Sequence, residues 1–228
     1  MQLFSDFLAS FDISKLLILL ISVVACVLCI TVHELCHGLT ALLLGDRTAR
    51  DAGRLTLNPL AHLDPVGLLM LLVARVGWAK PVPVDLRRFR HPKRDMAITA
   101  LAGPVSNVLL ALFAMGIASF LYRDISGLFG AYLLFFLCYV CVLSVGLALF
   151  NLIPLPPLDG SKILSSLLPD RIYLSYMRIE RYLLIVVVAL AWFGFFSGPL
   201  SAGISGMVRW ICGLFDFPFS YFTYTFGL

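Results

Sequence analysis

The chain is poor in charge. Of its 228 residues only 13% are Asp, Glu, Lys or Arg, about half the share of a soluble domain, whereas 61% are hydrophobic and the mean hydropathy is +0.97. An ordinary soluble domain is excluded, and an integral membrane protein is expected. The net charge of +4 is carried between the apolar segments, where it sets orientation in a bilayer and offers no nucleic-acid surface. None of the six cysteines lies in a polar, outward-facing loop, which removes a disulfide framework. Cys26/Cys29 and Cys138/Cys141 have C-x-x-C spacing but fall inside apolar helical stretches, where free Cys behaves as a small hydrophobe. The N-terminus has neither a basic leader region nor a small-residue cleavage site, so the first apolar stretch reads as a retained span. Glutamate is almost missing: Glu34 and Glu180 are the two present.

What is there is a series of long apolar segments. Leu16 to Gly45 is about 30 residues, roughly 45 Å as a helix against a hydrocarbon core of about 30 Å, so it tilts or projects. Gly45-Asp46 provides its stop. Residues 46–65 are polar and turn-rich; Arg54–Asn58 alternates like a short strand, and Asn58-Pro59 and Asp64-Pro65 mark turns. Val66–Val76 is apolar but too short to span, which suggests a re-entrant or interfacial piece. Gly77–Val84 is held extended by Pro81 and Pro83. Ala97–Tyr122 and about Leu128–Ile153 are full spans, Tyr182–Phe196 a shorter one, and Leu200–Phe215 a fifth span or an interfacial helix. The aromatic tail, Phe215–Phe226, suits the membrane–water interface. Ten Lys and Arg lie in 46–95 and four in 154–181, against Arg123 alone in 123–127. Both long loops are therefore expected in the cytoplasm, with the basic run Arg87–Arg94 as an orientation signal.

Within the first span stands His33-Glu34-Leu35-Cys36-His37, an H-E-x-x-H pattern that uses half the histidines. Residues i and i+4 share a helix face, so both imidazoles can reach one metal ion, with Glu34 beside the water such an ion would hold. Ionised groups in a membrane helix cost roughly 2.5–3.5 kcal/mol on insertion scales, which makes an incidental placement expensive. A catalytic zinc commonly takes three protein ligands and a water. His37 lies roughly 12 Å of helix from the expected cytoplasmic end of its span. Asp159, which follows a span ending on the same side, is a candidate third ligand, with Asp64 and His62 as competitors. Prolines on either side of Leu155 stiffen the backbone before Asp159 and favour it. Cys36 faces away from the metal and packs.

The H-E-x-x-H motif, Ala102-Gly103-Pro104-Val105-Ser106-Asn107 and Asn151-Leu152-Ile153-Pro154-Leu155-Pro156-Pro157-Leu158-Asp159-Gly160 together resemble the site-2 protease family of intramembrane zinc metalloproteases, peptidase family M50. Asn58–Gly67 and Gly77–Val84 match further stretches, and the likeness runs in order over residues 16–165. The resemblance implies one zinc ion held by His33, His37 and Asp159, with Glu34 as general base. It implies catalytic roles for Asn107 and Asn151 in orienting substrate or stabilising an oxyanion, although an amide in an apolar helix also serves helix packing. No PDZ-like insert or nucleotide-sensing domain is recognisable in the chain.

The expected fold is an all-α integral membrane protein, a bundle of four to five transmembrane helices with a small β-hairpin and a re-entrant segment. It forms one transmembrane metalloprotease domain over 1–228, with core motifs at 16–165 and C-terminal helices and tail at 178–228. The expected function is zinc endopeptidase cleavage of transmembrane segments, with the active site nearer the cytoplasmic side of a bacterial cell membrane. The partners are a transmembrane protein substrate, such as a tethered anti-sigma factor or transcription factor, and the lipid bilayer; no nucleic acid is involved. A membrane helix has its carbonyls hydrogen-bonded, so substrate must unwind, and the strand near Leu55–Asn58 could pair with it by edge addition. The alternatives are a metal-binding membrane protein or transporter, which needs a polar path across the bilayer, and a non-catalytic scaffold, which has no use for Glu34.

Overall fold

The structure, a computed structural model, describes residues 12–67, 78–169, 183 and 185–228. Helix α1 runs from Ile13 to Leu43, capped by the Asp12 carboxylate, which accepts the N–H groups of Ser14 and Lys15. It stops at Gly45, whose φ of +107° is open to glycine but strained for a residue with a Cβ. A short helix α2, Thr48–Asp51, begins the polar loop. Helix α3 spans Pro92–Tyr122, with Pro92 in its first turn and Pro104 in its interior. Helix α4 spans Gly127–Asn151 and α5 Asp159–Ser166. Ile185–Trp192 is α6, Ser197–Leu214 α7 and Ser220–Phe226 α8.

Helices α1, α3 and α4 are each long and apolar enough to cross a membrane. α6 and α7 meet that test only as a pair, and they are bent by 80° at their break, where Gly194 takes a φ of +72°. Among the described residues the count is thus three candidate spans, or four with the bent pair as one. The expected fifth span at Leu200–Phe215 is the second limb of that broken pair.

Among the described residues there is no strand. Leu63 and Ala79 form an isolated antiparallel bridge, next to which Lys80 N–H donates to His62 O at 2.9 Å. The strand expected at Arg54–Asn58 is irregular chain because side chains take the backbone donors: Thr56 Oγ1 accepts Asn58 N–H and Asn58 Oδ1 accepts Leu60 N–H, opening a 3₁₀ turn at Pro59–Ala61. Residues 1–11, most of the re-entrant segment (68–77) and the start of the fourth span lie outside the described residues.

The core lies where α1, α3, α4 and α7 meet. It is built largely of small side chains: Ala25, Cys29, Ala111, Ala114, Ala118, Cys138, Cys141 and Cys212 are buried there with Met115, Val145, Val208 and Ile211. Small residues let helix axes approach closely where lipid supplies no hydrophobic drive to associate. All six cysteines are free thiols, and Cys29 Sγ lies 3.2 Å from Ser144 Oγ. The aromatic tail departs from its interfacial expectation in part. Phe217 and Phe222 are buried, and Phe226 stacks on Phe135 and Tyr139 of α4.

The loop is fastened to the end of α1 by Asp46, which is fully buried. Its carboxylate accepts the N–H of Thr48 at 2.9 Å, the Thr48 hydroxyl, and the N–H of Asp85 at 2.7 Å. One side chain therefore holds both ends of the long connection against the helix that carries the histidines.

Candidate metal centre

His33 and His37 are buried on one face of α1, their rings 4.6 Å apart and nearly perpendicular. Nε2 of each lies 3.1 Å from Oδ2 of Asp159, and the three ligand atoms all fall within 4.8 Å of one another. Asp159 is the first residue of α5, delivered by the strip 152–158 that leaves α4 and contains a cis Pro156–Pro157 bond. Gly160 lets this strip fold back closely: a Cβ there would stand 2.2 Å from Leu152 O. The other carboxylate oxygen of Asp159, Oδ1, faces Lys162 Nζ at 3.6 Å.

A metal needs room as well as donors, and α3 supplies it. A Cβ on Gly103 would sit 2.4 Å from His37 Nε2 and 2.6 Å from His33 Cε1. The bare glycine is thus the wall of the space both imidazoles occupy. One helical turn to either side, α3 places a partner behind each ring. Thr99 O is 2.7 Å from His37 Nδ1, and the Asn107 amide nitrogen is 3.1 Å from His33 Nδ1. The carbonyl of Thr99 can only accept, so Nδ1 of His37 carries a proton, and Nε2, beside Asp159, is the nitrogen that could serve a metal. Two imidazole nitrogens and one carboxylate oxygen are a donor set that zinc takes, and the residues present fit it.

Glu34 is half-buried beside the histidines, and its Oε2 accepts the N–H of Val82 at 2.8 Å. Val82 lies between Pro81 and Pro83, so it is the one backbone donor in that tripeptide. The extended segment thus reaches the carboxylate through Val82, within its described part, 78–84.

The competing ligands are engaged elsewhere. His62 is fully buried with Nε2 on Thr56 O at 2.9 Å, and Asp64 caps a turn by accepting the N–H groups of Val66 and Gly67. Asn151 donates its amide to Leu147 O of its own helix and is partly exposed. Two contributors were not anticipated, Thr99 and Val82, because both act through the backbone. The available signals were the four-residue spacing of Thr99, Gly103 and Asn107, and a lone N–H between two prolines.

The sequence profile of peptidase family M50 matches residues 121–194. A Bacillus subtilis protein whose provisional name is zinc metalloprotease YwhC is 39% identical over 171 residues, covering 74% of this chain and 78% of its own. Provisionally named zinc metalloproteases Rip2 follow: that of Mycolicibacterium smegmatis is 33% identical over 56% of this chain and 49% of its own. That of Mycobacterium tuberculosis is 27% identical over 80% and 69%. No solved structure matches. The buried histidine pair, the apolar helices around it and these relatives converge: the chain belongs to peptidase family M50, the site-2 proteases, and is a zinc metalloendopeptidase.

Proposed function

We propose that this protein is an intramembrane endopeptidase that hydrolyses peptide bonds within transmembrane segments, with His33, His37 and Asp159 as zinc ligands and Glu34 as general base. The observation that carries the reading is the meeting of three ligand atoms within 4.8 Å, brought from α1 and the start of α5 into a buried site among apolar helices. Such a location suits a substrate that is itself in the bilayer. The site lies toward the end of α1 that bears the basic loop, which supports a position nearer the cytoplasm.

A zinc ion held by His33, His37 and Asp159 would supply Lewis acidity, lowering the pKa of a bound water towards neutrality and polarising a peptide carbonyl. The residues do the rest. Val82 N–H fixes Oε2 of Glu34, leaving Oε1 to take the proton of the attacking water. Glu34 then delivers that proton to the leaving amine nitrogen. Asn151, at the start of the strip that leads to Asp159, is assigned to orienting the substrate backbone near the ligand. The substrate must present an unwound stretch, because helix carbonyls are already hydrogen-bonded. Edge pairing at Leu55–Asn58 has no regular strand to use, so we assign no such role to that stretch.

The test is to purify the protein in detergent, measure bound zinc, and offer a helical membrane substrate to the wild type and to Glu34→Gln. The variant is expected to keep its zinc and to lose cleavage by at least about 100-fold, the lower range for a positioned acid–base group. A variant that retains zinc and cleaves normally removes Glu34 from the mechanism. A wild type that binds zinc yet cleaves no membrane segment removes the proposed substrate class.

A further inference from the structure

His33 and His37 occupy one face of α1 and are backed by one face of α3, yet their outer nitrogens meet different chemistry. His37 Nδ1 faces a carbonyl, which holds its proton permanently. His33 Nδ1 faces the amide nitrogen of Asn107 at 3.1 Å, while the amide oxygen, fully buried, has no hydrogen-bond partner. In that arrangement Asn107 donates to Nδ1, and the ring proton of His33 resides on Nε2, where it points at Asp159 Oδ2. A ring in this tautomer cannot bind a metal through Nε2. Once Nε2 gives its lone pair to a metal, the proton must move to Nδ1, which would then confront an N–H donor. A half-turn of the amide about its Cβ–Cγ bond exchanges oxygen and nitrogen and resolves the conflict. The orphaned oxygen then becomes the acceptor that the metal-binding tautomer requires.

We propose that Asn107 is a positioning residue for His33. Its side-chain oxygen accepts the Nδ1 proton whenever Nε2 is committed to the metal, which fixes both tautomer and ring orientation. The inference rests on the reading of His33, His37 and Asp159 as the zinc site and assigns to this chain's α3 the support of both histidines. Thr99, Gly103 and Asn107 recur every four residues along α3 and present, in order, an acceptor, a gap and an amide whose half-turn makes it an acceptor to His37 and His33. This differs from contact with the substrate: an oxyanion partner must donate, whereas a partner of His33 Nδ1–H must accept.

The experiment compares the full chain in detergent with Asn107→Leu and Asn107→Asp. Zinc affinity is read by competition with a chelator, and the ligand field by the visible spectrum of the cobalt(II)-loaded protein. Leucine fills a similar volume without an acceptor and is expected to weaken zinc binding by about 10–100-fold, the range for loss of a hydrogen bond to a metal-bound histidine. It should also alter the cobalt spectrum. Aspartate accepts but cannot donate, so it is expected to restore affinity and spectrum to those of the wild type. Wild-type affinity in the leucine variant overturns the proposal, and so does an aspartate variant as weak as leucine. If Asn107→Leu fails to fold, Asn107→Asp against wild type decides alone: a tenfold weaker affinity overturns the proposal and an equal or tighter one supports it. A wild type that holds no zinc overturns the metal site itself, a distinct failure.

Discussion

At the scale of single residues, charge and backbone geometry divide the work. Asp159 is buried with one oxygen toward the two imidazoles and one toward Lys162. Asp159→Asn preserves the shape but removes the charge that faces Lys162 and that a zinc ion held there would use. Zinc affinity is expected to fall by more than the about 10–100-fold typical of losing a supporting hydrogen bond, read by chelator competition at fixed pH. The histidines and Glu34 were legible from spacing alone, because a helix turns i and i+4 onto one face. Asp159 was legible as a candidate beside Asp64 and His62, and the likeness to the family singled it out. Thr99 O and Val82 N–H were hidden, since any residue carries a carbonyl and nearly any an amide.

At the scale of elements, glycine decides where helices may touch the site. Gly103→Ala would drive a methyl into both imidazoles, at 2.4 Å and 2.6 Å from their atoms. α3 is a helix whose backbone tolerates alanine well, so the protein is expected to fold, retain its helical circular dichroism and lose bound zinc. Gly206→Ala, where an added Cβ meets nothing within 4 Å, is the matched control and should keep zinc and cleavage. The long helices α1, α3 and α4 could be read from apolar length. The bend between α6 and α7 could not, because the same glycine-interrupted run fits an interfacial helix, a span or half of a broken one. The loop at Arg54–Asn58 misled for a related reason. Its alternation counted side chains, and the outcome turned on Thr56 and Asn58 capturing the backbone instead.

At the scale of the whole molecule, one buried carboxylate holds the connection between spans. Asp46→Ala removes the acceptor shared by the part-buried N–H groups of Thr48 and Asp85, at a cost below the about 1–3 kcal/mol of a fully buried unsatisfied donor for each. A lower midpoint of thermal unfolding is expected, with zinc stoichiometry unchanged in the folded protein. Substrate choice belongs to this scale as well. A transmembrane substrate with Gly or Pro near the cut should be cleaved faster than the same segment with Leu there, because less helix must be opened. Equal rates would show that unwinding is not the barrier. The placement of the aromatic tail escaped the sequence reading, since Phe and Tyr serve an interface and a bundle core equally well; Phe222 went to the core.

Lys162 sits one turn beyond Asp159 and faces its outer oxygen at 3.6 Å. A carboxylate tethered in this way offers a metal one atom rather than two. Were His33, His37 and Asp159 to hold a zinc ion with one atom each, a place would remain for water, and a second oxygen from Asp159 would take it. With Asp159 as a zinc ligand, the reactivity of the centre would depend on this neighbouring cation: Lys162→Met is expected to bind zinc at least as tightly while hydrolysing substrate more slowly, an affinity and a rate moved in opposite directions by one lost charge.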